Sequence, residues 1–135
     1  ADFSETGLKA MFQATNEIAI SEQQAAFAKF APCFEARLKQ NSTGFCAGTR
    51  LSFADVILVE ALSSYLEWIP DILEPTPLLK ALNETVLSHP GIKAYLTSDL
   101  RYPKPDNTCV IDIARVLQRP LPSHFSDPNQ FVAPS

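Results

Sequence analysis

Several kinds of residue that common binding and catalytic sites need are scarce in this chain. Its 135 residues include only four Gly and two His, and 11 Lys and Arg stand against 15 Asp and Glu. So few glycines argue against a phosphate-binding loop, and the two histidines do not form a metal motif such as HExxH. The net charge of −4 argues against nucleic acid as a main partner, because phosphate binding needs a basic surface. We therefore expect no metal site and no nucleic-acid partner.

The chain also lacks the segments that direct a protein to a membrane or out of the cell. No apolar run approaches the roughly 20 residues that a membrane-spanning helix needs. The first residues, Ala-Asp-Phe-Ser-Glu, have neither the positive charge nor the apolar stretch of a signal peptide. Cys33, Cys46 and Cys109 form no CxxC pair and match no zinc spacing. These features predict a cytoplasmic protein with reduced thiols and no membrane association.

What is present indicates a helical domain with a substantial core. Hydrophobic residues make up 46% of the chain and include nine Phe, which argues against disorder. Apolar residues recur at helical spacing, and no convincing strand alternation is found. The predicted helices cover residues 4–16, 21–40, 53–68, 77–88, about 90–96 and 109–118. The sequence thus predicts an all-α bundle of about five to six helices in one domain, 1–118, followed by a proline-rich tail, 119–135.

Three local patterns predict how these helices pack and end. Phe27, Phe30 and Phe34 lie on one side of the second helix and predict an aromatic stripe that faces the core. Gly44 is the expected left-handed residue that ends this helix. Thr76 before Pro77 predicts an N-cap followed by proline at the first helical position.

The stretch 48–60 holds the most specific local signal. Ser52 and Asp55 have the spacing of a capping box, and Leu51 and Val56 are placed as a hydrophobic staple. The helix that follows is apolar nearly all round, which predicts that it is buried. We interpret Ser52 and Asp55 as structural capping residues that determine folding. We find no candidate catalytic residue in the chain.

These motifs resemble those of a known family. The run Gly48-x-x-Leu51-Ser52-x-Ala54-Asp55 is similar to the capping-box motif in the C-terminal helical domain of cytosolic glutathione transferases. Five further segments resemble the alpha class of these enzymes in order and spacing: Lys29–Leu38, Pro77–Leu82, His89–Leu96, Arg101–Pro105 and Ala114–Leu117. The resemblance covers roughly residues 25–118 and implies the fold of that helical domain.

The resemblance also implies a function that is shared between two domains. In this family the helical domain supplies most of an apolar electrophile pocket and part of a homodimer interface. Glutathione, the co-substrate, binds a thioredoxin-like N-terminal domain that also carries the catalytic group, and we find no such segment in this sequence. The resemblance places six residues at the pocket for an apolar small molecule: Met11, Phe12, Val110, Ile111, Ala114 and Leu117. The alternative for each of them is an ordinary core position without a ligand.

One departure from the family pattern leaves the function open. Alpha-class proteins often carry an Arg between the Ser and the Ala-Asp of the motif, where it reaches the glutathione of the neighbouring subunit. Phe53 stands there in this chain and cannot pair with a carboxylate. We expect the domain alone to bind no cofactor and to be inactive without a thioredoxin-like domain. The alternatives are a non-catalytic binding or assembly module that joins protein partners and, less favoured, a structural or ligand-storing descendant.

Overall fold

Six α-helices and one short 3-10 helix make up the described part of the chain. The computed structural model describes residues 2–13, 15–101 and 107–118, apart from the side chains of Leu8, Met11 and Asn107. The helices are α1 (Phe3–Lys9), the 3-10 helix (Ala10–Phe12), α2 (Asn16–Asn41), α3 (Phe53–Leu66), α4 (Pro77–Ser88), α5 (Pro90–Leu96) and α6 (Asn107–Val116). No strand occurs within these ranges, which confirms the all-α prediction. The predicted tail, 119–135, and residues 102–106 lie outside them.

None of the helices described above could cross a bilayer, since each is too short or too polar for that.

The boundary between the first two helices differs from the prediction. The first helix ends at Lys9 and continues only as the 3-10 helix, whereas α2 begins at Asn16 instead of residue 21. Gln13 and Thr15 both have extended backbone dihedrals, which interrupt the helix. The Thr15 hydroxyl then accepts a hydrogen bond from the Ile18 N–H at 3.2 Å and caps α2. This single cap sets the start of α2 one turn earlier than apolar spacing suggested.

The end of α2 is also set by a different residue from the one predicted. Ser42, not Gly44, follows the helix in the left-handed conformation, with φ of 54°, and its N–H donates to the Leu38 carbonyl at 3.0 Å. Gly44 has a φ of 84° but lies further along the loop. A non-glycine residue adopts this conformation at a cost of roughly 1–2 kcal/mol. The hydrogen bonds around the adjacent Asn41 offset that cost.

The core lies between four helices. Both α1 and α4 pack against α2 and against α3, and α5 packs against α4. The side chains buried most completely include Tyr65 and Leu62 from α3 and Leu79 and Leu82 from α4. The buried side chains of these helices form one apolar core cluster.

Phe3 connects three of these helices through an aromatic cluster. Its ring stacks on Tyr65 with the ring centroids 4.4 Å apart, and it meets Phe34 edge-on at 5.3 Å. Phe27 and Phe30 lie within 6.4 and 6.0 Å of the same ring. The Tyr65 hydroxyl donates to the Phe3 carbonyl at 2.5 Å. The predicted aromatic stripe of α2 therefore does face the core, and it holds α1 in place.

The prediction that α3 is a buried helix holds for the side that carries Leu58, Leu62 and Tyr65, but not for the whole of its apolar surface. Phe53 is 79% exposed and Ile57 is 46% exposed. These two residues lie one turn apart on the same side of α3. Because α1 and α4 cover only the other sides of the helix, one apolar strip stays open to solvent in this structure.

Candidate functional site

The start of α3 is organised around the buried Asp55 carboxylate. Asp55 Oδ2 accepts hydrogen bonds from the Ser52 N–H at 2.8 Å and from the Ser52 hydroxyl at 2.7 Å, and Oδ1 accepts from the Cys46 N–H at 2.6 Å. The capping box predicted from residues 52 and 55 is present. Asp55 has no exposed surface. The carboxylate thus joins the helix start to the preceding loop, in addition to capping the helix.

Burial and hydrogen bonding act on the pKa of Asp55 in opposite directions. Burial raises the pKa of the carboxyl, whereas the bonds from Cys46 and Ser52 lower it, and the net pKa lies below the ordinary value of 3.8. Asp55 is consequently ionised at neutral pH. A carboxylate that is fully engaged by donors inside the fold is a structural group, and it has no free lone pair turned toward solvent for general-base chemistry.

Two side chains of α2 hold the loop that precedes α3. The Arg37 Nε donates to the Cys46 carbonyl at 2.9 Å. Asn41 Nδ2 lies 2.9 Å from the Phe45 carbonyl and 2.8 Å from the Gly48 carbonyl. Together with Asp55, these residues fix residues 42–51 from both adjoining helices. The capping motif is therefore one part of a larger clamp on this loop.

The structure separates the six predicted pocket residues by their burial. Val110 and Ala114 are buried on α6, at 1% and 6% exposure. Phe12 and Ile111 are half-buried, and Leu117 is 56% exposed just after α6. The Met11 side chain lies outside the described residues. Their role as a ligand pocket stays a prediction, and Phe12, Ile111 and Leu117 are the members with surface available for a ligand.

The residue that caps α4 was not predicted from the sequence. Glu35 on α2 accepts a hydrogen bond from the Leu79 N–H, with Oε1 2.7 Å from the nitrogen. Thr76 occupies the N-cap position as predicted, but its side chain does not cap the helix and instead donates to the Leu73 carbonyl at 3.0 Å. A negative charge at this helix end also interacts favourably with the helix dipole. No local spacing could indicate this contact, because Glu35 and Leu79 are 44 residues apart.

Gln23 is a second residue whose environment no local sequence pattern predicted. It has no exposed surface, and neither its Oε1 nor its Nε2 has a hydrogen-bond partner among the described residues. An uncompensated buried amide costs about 1–3 kcal/mol of folding free energy.

Among residues 2–13, 15–101 and 107–118, no group of three His, Cys, Asp or Glu side chains is arranged to hold a metal ion.

The family of this chain follows from a comparison with protein-family models. Residues 1–99 match the model of the glutathione S-transferase C-terminal domain. This match includes α1–α5 and the clamp around Asp55. The chain belongs to this glutathione S-transferase family.

Curated glutathione S-transferases, alpha-class proteins among them, are similar to this domain. A glutathione S-transferase of Antechinus stuartii is 37% identical over 89 residues, covering 65% of this chain and 40% of that protein. Glutathione S-transferase A3 of Mus musculus is 37% identical over 98 residues, covering 66% and 44%. Glutathione S-transferase alpha-3 of Rattus norvegicus is 36% identical over 104 residues, covering 70% and 47%. The chain spans less than half the length of these relatives.

Two residues at helix starts of this domain, Asp2 and Phe53, differ in their surroundings. Asp2 Oδ1 accepts a hydrogen bond from the Glu5 N–H at 2.7 Å and caps α1. Phe53 opens α3, and its exposed ring stands at the motif position where alpha-class proteins often have Arg. The two residues lie at the N-terminal ends of two helices that pack together.

The thiols of this transferase domain should differ sharply in reactivity. Burial, followed by the neighbouring Asp55 carboxylate, raises the pKa of Cys46 to about 11, whereas Cys33 lies exposed on α2. Because the thiolate is the nucleophile, we expect a maleimide at pH 8 to label Cys46 at least about tenfold more slowly than Cys33. Time-resolved mass spectrometry of digested protein measures both rates. Equal rates would show that the loop around Cys46 opens freely.

Proposed function

We propose that this chain supplies the apolar half of an electrophile-binding site in a glutathione transferase. A thioredoxin-like N-terminal domain would bind glutathione and activate its thiol, and this helical domain would also contribute to a homodimer interface. The observation that carries the proposal is the family match over residues 1–99. A cytoplasmic location is part of the proposal, because reduced glutathione is maintained there.

The proposed contribution to the reaction is binding and positioning. None of the six pocket residues carries an ionisable group, and the thioether sulfur of Met11 is the only side-chain heteroatom among them. They would hold an apolar electrophile by removing its surface from water, at about 25 cal/mol per Å². The electrophile would then lie close to the glutathione thiolate on the other domain, which converts a bimolecular encounter into a reaction between held groups. The thiolate sulfur would form a bond to the electrophilic carbon and the bond to the leaving group would break, which for 1-chloro-2,4-dinitrobenzene releases chloride to solvent. The helical domain itself would stay chemically unchanged.

A pair of measurements tests where the chemistry lies. We expect the chain alone to show no heat of glutathione binding by calorimetry and no turnover of 1-chloro-2,4-dinitrobenzene. Fusion to the N-terminal domain of an alpha-class relative should give measurable conjugation. Turnover by the isolated chain, after removal of contaminating enzyme, would show that the catalytic site lies within this domain. A folded fusion that binds glutathione but does not conjugate would contradict the proposed role.

Leu117 provides a test of the pocket itself in that fusion. We expect Leu117→Ser to raise the KM for the apolar electrophile about fivefold, because half of a leucine's burial energy is lost, with the KM for glutathione unchanged. Val116→Ser is the matched control, since Val116 is an exposed neighbour that we do not place in the pocket. Equal effects of the two substitutions on the electrophile KM would exclude Leu117 from the pocket.

A second candidate function is a non-catalytic assembly module. The exposed strip formed by Phe53 and Ile57 favours it, because an open apolar surface is typical of an interface and Phe cannot form the glutathione contact of the family Arg. Replacing Phe53 by Arg in the fusion distinguishes the two candidates. A lower KM for glutathione in Phe53→Arg would favour a transferase that has lost one contact. An unchanged KM, together with loss of self-association in analytical ultracentrifugation, would favour the assembly module.

A further inference from the structure

A groove lies on the surface between the loop before α3 and the C-terminal end of α4. Its volume is about 420 Å³, within the range of small-molecule sites. Six residues line it: Phe45, Leu51, Glu84, Thr85, Ser88 and His89. None of them belongs to the predicted electrophile pocket. The groove is therefore a separate candidate for ligand binding.

The wall formed by α4 presents mainly hydrogen-bond acceptors. The Thr85 hydroxyl donates to the Ala81 carbonyl at 2.8 Å, and the Ser88 hydroxyl donates to the Glu84 carbonyl at 2.6 Å. With the proton of each hydroxyl engaged in this way, both oxygens present lone pairs that can accept from a ligand. His89 is the one lining side chain that is also able to donate. A ligand for this wall must bring its own donors.

Glu84 gives the same wall a negative charge. Among the described residues, the nearest cation along α4 is Lys80, one turn before Glu84. The ammonium of Lys80 forms its close ion pair with Glu74 at 2.5 Å, and Glu84 acts on it only as a further negative charge. Glu84 is exposed, so its carboxylate is accessible to a ligand. The charge and the acceptors together favour a cation over an anion in the groove.

The opposite wall is apolar and held in place. Phe45 and Leu51 are half-buried and pack against the core cluster. The Phe45 carbonyl is bound by Asn41, and Leu51 directly precedes the hydrogen-bonded Ser52. Because this loop is anchored at both ends, the groove exists before any ligand arrives. An aromatic ring can therefore pack on Phe45 with little ordering cost.

We propose that this groove binds a small organic cation that carries an aromatic ring and a primary ammonium group. The ring lies against Phe45 and Leu51, and the ammonium donates to the Glu84 carboxylate and to the hydroxyl oxygens of Thr85 and Ser88. An ammonium group has three donors and no acceptor, which matches a wall that is rich in acceptors. The proposal goes beyond glutathione conjugation and does not depend on it.

Titration of the full ¹⁵N-labelled chain with 2-phenylethylammonium, followed by NMR, tests the proposal. We expect saturable shifts of amide resonances in residues 45–51 and 84–89, with a Kd on the order of 1 mM for so small a ligand. The uncharged 2-phenylethanol should bind at least about fivefold more weakly, because it lacks the charge-assisted bond to Glu84. Equal binding of the alcohol, or the absence of saturable shifts from the amine, would overturn the proposal.

Substitution of Glu84 identifies the group that recognises the charge. We expect Glu84→Gln to weaken binding of the amine at least about fivefold while leaving the weak binding of the alcohol unchanged. Glu60→Gln is the matched control, because Glu60 is also an exposed acid, lies outside the groove, and its loss changes the net charge by the same amount. If both substitutions weakened binding of the amine equally, the effect would come from net charge alone. That result would contradict specific recognition of the ammonium group by Glu84.

Discussion

Phe3→Ala should be among the most destabilising single substitutions in this domain, with an expected loss of about 3–5 kcal/mol in the free energy of unfolding. The ring of Phe3 is 7% exposed, stacks on Tyr65 and meets the aromatic side chains of α2. Its removal leaves a cavity among rigid rings that cannot close completely. Because α1 has only seven residues, it cannot form a stable helix without this packing. Urea unfolding followed by far-UV circular dichroism measures the loss.

The matched control for this experiment is the same substitution at an exposed site. Phe53 is 79% exposed at the start of α3, so Phe53→Ala should change the stability by no more than about 0.5 kcal/mol. A loss of similar size for both variants would show that Phe53 is covered, for example by another copy of the chain. A small loss for Phe3→Ala would show that α1 is not docked as described.

The parts of the fold that sequence predicted correctly are specified locally. The capping box at Ser52 and Asp55 depends on two residues three positions apart, and the aromatic stripe of α2 depends on one helical repeat. Such patterns can be recognised because the interacting groups are fixed by helix geometry alone. The same applies to α4, whose predicted range of 77–88 agrees with the structure.

The parts that sequence did not predict depend on distant groups or on weak local preferences. Glu35 caps α4 from another helix, and Ser42 takes the left-handed conformation because Asn41 organises the loop beside it. Phe53 and Ile57 follow the apolar pattern of α3 but lie on a side that no described helix covers. The hydrophobic pattern of a helix indicates which residues favour burial. Which of them are actually buried depends on where neighbouring helices pack.

The predicted electrophile pocket shows the same distinction. The positions of its six residues came from family resemblance, which placed two of them on the first predicted helix and four on the last. Their burial could not be predicted in that way. Val110 and Leu117 are seven residues apart, a helical spacing, but Val110 is 1% exposed and Leu117 is 56% exposed. Leu117 follows the last residue of α6, and Arg115 and Val116 before it are exposed as well.

Asp55→Asn is the second substitution for which we expect a large effect, a loss of about 2–4 kcal/mol in the free energy of unfolding at pH 7. Three donors converge on the carboxylate from Cys46 and Ser52. The amide that replaces it keeps one acceptor oxygen, so at least one buried donor loses its partner and the remaining bonds lose the help of a full charge. Ser52→Ala, the control, should cost only about 1 kcal/mol, which is typical of a lost N-cap.

The pH dependence of this difference separates the charge of Asp55 from the shape of its side chain. Since the pKa of Asp55 is lowered in the folded protein, the carboxylate contributes stability above the unfolded pKa of about 3.9 and loses that contribution as the pH falls through the folded value. Asn does not titrate. The stability gap between wild type and Asp55→Asn should therefore be constant above about pH 5 and should narrow progressively below about pH 4. Urea midpoints of both proteins between pH 2 and pH 7 measure it. A gap that stays constant to the lowest pH would mean that the charge contributes nothing and that the loss comes from packing alone.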